Sequence, residues 1–185
     1  SNGVKVVFKP TTFKKDEILL SAYSDGGLSK VNVADLPSGV LASEIVSNNG
    51  LGDYSSIDLG KILTGKIASV SPWIDGYKEG FTGNSSVSDF ETMMQLVYLN
   101  FTAPRKDDNA FTAMMNGYRA SLANSATDPR KAFSDSVNKT ITSHSPRTTI
   151  VDLKMMDLVN QDKALAIFKE RFAMPADFTF IFTGN

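Results

Sequence analysis

The sequence predicts an α+β domain, a largely antiparallel sheet with helices packed on one face. Three observations carry that expectation. Two amphipathic stripes at helical spacing follow each other across a proline corner between residues 88 and 123. Runs of strand period precede them, closed by glycine turns. A single alternating run, Phe178, Phe180 and Phe182, closes the chain. With 185 residues and 42% hydrophobic content, one domain, 1–185, can bury a sizeable core.

Val4, Val6 and Phe8 alternate with Lys5, Val7 and Lys9, the period of a strand with one buried face, and Pro10 ends it. A second strand over 18–23 closes at Asp25-Gly26-Gly27, and the two are expected to form a hairpin. Asp35 offers a cap and Pro37 an early helical position. A helix over 36–46 follows, with Leu41 and Ile45 inward, ending around Asn48-Asn49-Gly50. Ser55 or Ser56 caps a shorter helix carrying Leu59, Ile62 and Leu63, and Gly65 stops it. From 67 to 86 the period is again that of strands: Ile67, Val70 and Trp73 before a turn near Asp75-Gly76, Tyr77 and Phe81 after it, a second hairpin.

The two stripes come next. Phe90, Met93, Met94, Val97 and Phe101 share one set of helical offsets, and Phe111, Met114, Met115, Tyr118 and Leu122 repeat it. Pro104 separates them, since it lacks an N–H and disfavours helical geometry at Ala103, and Asp107 or Asp108 caps the second helix. Asp128-Pro129 opens a helix over 130–141 with Phe133, Val137 and Ile141 four residues apart. A polar loop fills 143–149. The last helix carries Leu165, Phe168 and Phe172, with Lys169 and Arg171 where cations suit the helix dipole. No short internal repeat is present.

Composition excludes several classes. Nineteen basic against 20 acidic residues, without a basic run, argue against a nucleic-acid partner. No apolar run approaches the roughly 20 residues of a membrane span, and Ser1-Asn2-Gly3 does not open a signal peptide, so the chain reads as soluble. The absence of cysteine removes disulfides and thiolate zinc sites.

Chemistry-bearing motifs are scarce. The one histidine, His144, lies in a polar loop, and a catalytic zinc ordinarily takes three protein ligands. A serine triad would need His144 and a nucleophile elbow, which is missing. Gly50-Leu51-Gly52 continues with Asp53, not with a dinucleotide fingerprint. Asn84-Ser85-Ser86, Asn100-Phe101-Thr102 and Asn138-Lys139-Thr140 match the glycosylation triplet, but Asn100 sits within a helical stripe, and chance matches are the better reading.

A resemblance supplies what the motifs do not. The opening run from Asn2 through Val6-Val7-Phe8-Lys9-Pro10-Thr11 resembles the first strand of a half-unit of the insulinase-like (pitrilysin, M16) zinc peptidases. Further likeness lies in Ile45-Val46-Ser47 with Gly50-Leu51-Gly52-Asp53, and in Phe90-Glu91 through Phe101-Thr102-Ala103-Pro104-Arg105. It extends through Arg171-Phe172-Ala173 to Phe178-Thr179-Phe180 and Gly184-Asn185. The order and spacing of these pieces across nearly the whole chain make the assignment specific, and the bacterial members are the nearest in pattern. The fold implied is the LuxS/MPP-like half-unit.

Active members carry an inverted zinc motif, His-x-x-Glu-His, plus a glutamate in the helix after the proline corner. By the resemblance the motif falls on Leu41-Ala42-Ser43-Glu44-Ile45: both histidines are aliphatic here, and Glu44 alone remains, at the general-base position. Residues 109–127 contain no Asp or Glu, so the third ligand is missing too. An arginine and tyrosine that the partner half lends to the substrate carbonyl would lie in the degenerate stretch from Lys61 to Val70, where Ser69 replaces the tyrosine and no arginine is nearby.

The resemblance therefore implies a noncatalytic domain like the third of four in the large single-chain members. It would be a fragment of a longer chain, forming part of a closed peptide chamber and an interface with a catalytic half. No metal or catalytic residue is expected in this segment, the zinc belonging to the catalytic half. A bacterial periplasm is favoured over cytoplasm, and self-association through the Phe178–Phe182 run is expected. The alternative is a purely structural or assembly subunit of the same fold, as in respiratory-chain core proteins.

Overall fold

The computed structural model describes residues 3–125 and 128–184. Asn2, Thr127 and Asn185, used above, lie outside the described residues.

Five strands, β1 (Lys5–Pro10), β2 (Ile18–Asp25), β3 (Ala68–Ile74), β4 (Lys78–Ser85) and β5 (Thr179–Gly184), form one sheet in the order β1-β5-β2-β4-β3. β3 and β4 pair antiparallel around the turn at 75–77, the hairpin read from the sequence. β2 lies antiparallel between β4 and β5. The expected hairpin of β1 with β2 does not form. The closing strand inserts between them, and β1 pairs with β5 in parallel, Val6 opposite Phe180 and Phe8 opposite Phe182.

That insertion corrects two further expectations. β1 becomes an edge strand, exposed along its whole length, with Phe8 71% exposed rather than half buried. Phe178, Phe180 and Phe182 are buried, Phe182 reaching the surface only within a groove, so they are not the exposed run expected to drive self-association. Exposed apolar surface lies instead along β1, where Phe8, Pro10, Ile18, Phe90 and Phe182 line a groove. Removing a central phenylalanine strand from water is the stronger term, since each such side chain is worth ~2 kcal/mol or more when buried.

The helices are α1 (Leu36–Val40), α2 (Ala42–Asn49), α3 (Ser56–Ile62), α4 (Phe90–Thr102), α5 (Asp108–Ser125), α6 (Pro129–Ile141), α7 (Leu153–Leu158) and α8 (Gln161–Arg171). The predicted helix over 36–46 breaks at Leu41, which takes φ −98° and ψ 1°. Gly39 and β-branched Val40 propagate a helix poorly, and the Ser38 hydroxyl is engaged by the Asn160 N–H at 2.9 Å. Gly50 ends α2 at φ +93°, where a Cβ would collide with the Tyr54 carbonyl. Of the alternative caps, the structure selects Ser55, which accepts from Asp58 N–H at 3.1 Å, and Asp107, which accepts from Asn109 and Ala110 N–H at 3.1 and 3.0 Å. Asp128 caps α6 at 2.9 Å, as its Asp-Pro signal predicts. α7, capped by Asp152, is an element the sequence reading did not contain; it is one and a half turns long, too short for a period to show.

α4 packs on β3 and β4, while α8 lies against α1 and α2. The sheet face beneath them carries Leu20, Ala22, Phe81, Phe180 and Phe182, and Leu19 on the opposite face is exposed. An aromatic cluster joins the layers: Phe81 lies 4.9 Å from Phe172 and 5.1 Å from Phe101, and Phe101 meets Phe178 edge-on at 5.2 Å. α6 departs from the pattern. Its stripe of Phe133, Val137 and Ile141 is turned to solvent.

Candidate functional site

The residues that the resemblance sets against the zinc motif, Leu41, Glu44 and Ile45, lie at the start of and along α2, beside α5. The backbone break places Leu41 at the start of α2, and Leu41 and Ile45, one helical turn apart, are buried in the core. Neither side chain has a donor atom, so Leu41 and Ile45 cannot ligate zinc. Glu44, between them in sequence, lies on the exposed side of the helix. α5 crosses α2 with Met115 buried. One turn further along, Tyr118 donates its hydroxyl to Oε2 of Glu44. Partial burial, then the hydrogen bond to Glu44 and its charge, push the Tyr118 hydroxyl up to about 12. Glu44 is thus an acceptor for a phenol held in its protonated form.

In the sequence Tyr118 is one member of an apolar stripe. Its position three residues after Met115 kept its ring on the inner side of α5, while the polar tip reached a partner 74 residues away. No local signal pairs them.

The degenerate arginine–tyrosine region does not join this pair. Lys61, on α3, meets Asp58 at 3.4 Å in an exposed salt bridge of little energetic weight. Ser69, on edge strand β3, donates to Asn84 Oδ1 at 2.5 Å. Ser69 lines a cleft of about 290 Å³ between α2, α3 and β3, together with Ser47, Ser71 and Asn100. Asn100 is buried and donates to the Leu96 carbonyl at 2.9 Å, which leaves it no role as a glycan acceptor. His144 stands in the loop after α6 at φ +55°. Among the described residues, no three His, Cys, Asp or Glu side chains converge to hold a metal ion.

A second carboxylate escaped the sequence reading. Glu79, on β4, is 2% exposed and accepts the N–H of Gly27. Gly27 is held at φ +54° against the β3–β4 turn, where a Cβ would strike the Asp75 carbonyl. Burial raises the Glu79 carboxyl above its usual range, opposed by the Gly27 N–H, Arg171 and Ser24. Its work is to tie the loop after β2 to the hairpin.

The sheet order and the helical layer are those of an α+β domain, and the solved structures that share this fold include M16 peptidase domains. No family model matches the chain. A zinc protease PQQL-like protein of Arabidopsis thaliana is 28% identical over 188 aligned residues, covering 100% of this chain and 17% of that protein. The crystal structure of the periplasmic protease PqqL from Escherichia coli superposes with a TM-score of 0.83 at 22% identity, over 100% of this chain and 20% of that one. A peptidase M16 inactive domain from Pseudomonas fluorescens gives 0.77 at 15% identity, covering 100% of this chain and 45% of the other. These likenesses support an insulinase-like (M16) domain, and the fold is shared along the whole of this chain. It spans about a fifth of the length of the PqqL-type proteins it resembles. Among the described residues, no helix is long and apolar enough to cross a membrane.

Proposed function

We propose that this chain is a noncatalytic domain of an M16-type zinc metallopeptidase, standing where the third domain stands in the large single-chain members. In this reading it forms part of the wall of the closed peptide chamber and an interface with a catalytic half that holds the zinc. The observation that carries the reading is the pair of aliphatic side chains at the two positions the resemblance sets against the zinc histidines, with Glu44 engaged by Tyr118. The cleft along β3 and α2 is the chamber-facing surface. The likeness to a protein described as a periplasmic protease supports the periplasm as the compartment; the plant relative supports a wider distribution of the family than bacteria.

The test is fluorogenic peptide cleavage by the purified chain, by the catalytic half, and by their mixture. The expected result is no cleavage by the chain alone and a rate in the mixture above that of the catalytic half. Cleavage by the chain alone, or a mixture no faster than the catalytic half, would overturn the proposal.

A further inference from the structure

α6 has little apolar contact with the body of the domain. No residue of this helix is buried among those described, and the side chains of its stripe, Phe133, Val137 and Ile141, are exposed. Its partly buried residues are Lys131 and Asp135, paired at 2.7 Å. They border a cavity of about 310 Å³ whose other walls include Leu122 of α5 and Asp152, Leu153 and Lys154 at the start of α7. An ion pair beside a cavity removes little apolar surface from water, so the hydrophobic term that fixes an ordinary surface helix is weak here. A helix of 13 residues that loses its contacts is too short to persist in water.

The loop after the helix does reach the body. Arg147 donates its guanidinium to the Leu28 carbonyl and, at 2.9 Å, to the Val31 carbonyl, 119 and 116 residues away in sequence. That socket is itself tied down: Gly26, Leu28 and Ser29 donate their N–H groups to the carbonyls of Tyr77, Asp75 and Gly76 at 2.7, 2.7 and 2.8 Å, and Glu79 accepts the Gly27 N–H. Between helix and socket, Ser143 and His144 stand at φ +52° and +55°, two consecutive non-glycine residues in the left-handed region. Each carries a steric cost there, so the docked loop stores strain that melting of the segment releases. We infer that residues 129–147 form a latched flap, which undocks and unfolds as a unit while the sheet stays folded, and that Arg147 is its latch. Opening uncovers the cavity walls at Leu122 and Leu153.

Native-state hydrogen exchange of the purified chain tests this, because it separates local openings from global unfolding. In the wild type, the amides of 133–141 should exchange about 100-fold faster than those of β2, β4 and β5, at rates that change little in low urea. Arg147→Ala should speed exchange in α6 by about a further 10-fold, the order expected when hydrogen bonds from a charged but exposed donor are lost, and leave the three strands within about 2-fold of wild type. Equal rates and equal urea dependence in α6 and the sheet would overturn the flap. Unchanged exchange of α6 in Arg147→Ala would overturn the latch, and so would an equal acceleration of helix and sheet, which would make Arg147 a general stabiliser. The wild-type measurement decides the flap whether or not the variant folds.

Discussion

The Tyr118 hydroxyl donates to the Glu44 carboxylate and so links α5 to α2 beside the buried Leu41 and Ile45. With Leu41 and Ile45 packed into the core beside it, the linkage between the two helices is a single hydrogen bond and apolar contact. Four predictions follow from this arrangement and from the buried carboxylate on β4.

Tyr118→Phe removes the bond and keeps the ring. Because Glu44 is exposed and can return to water, the loss of stability should be about 1 kcal/mol, read from urea unfolding. The hydroxyl is raised from 10.0 to about 12 in the folded state. The unfolded chain therefore deprotonates first, and the contribution, complete below pH 10, is lost as pH rises through 12. Stability measured from pH 9 to 12 should fall more steeply in the wild type than in Tyr118→Phe; parallel curves would refute the linkage.

The purified chain should bind no zinc stoichiometrically. Metal analysis after dialysis decides this, and one zinc per chain that disappears in His144→Ala would show a site built around the loop histidine instead.

In the longer peptidase proposed above, Glu44→Gln should leave peptide hydrolysis near the wild-type rate. The amide oxygen still accepts the Tyr118 hydroxyl, and a carboxylate without a metal-bound water has no proton to take. A fall of about 100-fold, the usual cost of removing a general base, would give Glu44 a catalytic role.

Glu79→Gln keeps an acceptor for the Gly27 N–H and removes a buried charge, whereas Glu79→Ala strands that N–H and should cost about 2 kcal/mol. The folded carboxyl is raised above its ordinary 4.5, so its favourable contribution is complete below that value and is lost as pH rises through the raised one. Glu79→Gln should therefore equal or exceed the wild type in stability at pH 7, and the difference should vanish in acid. A deficit at pH 7 that persists at pH 4 would mean the charge itself holds the loop.

Local physics was legible in the chain: the five strands and the longer helices, the caps at Asp128 and at one of each serine or aspartate pair, and the inward faces of Leu41, Ile45, Met93 and Val97. The absence of donor atoms at Leu41 and Ile45 was equally plain, because it needs only residue identity and register. Tertiary structure alone decided that β5 separates β1 from β2, that Tyr118 meets Glu44, that Glu79 is buried under Gly27, and that the α6 stripe faces outward. Hydrophobic period states which side of an element is apolar but not which surface will cover it. The partner is chosen by competition among contacts far apart in sequence, and here the phenylalanines of β5 displaced the neighbouring hairpin because burying them in the middle of the sheet removes more apolar surface from water than pairing β1 with β2 would.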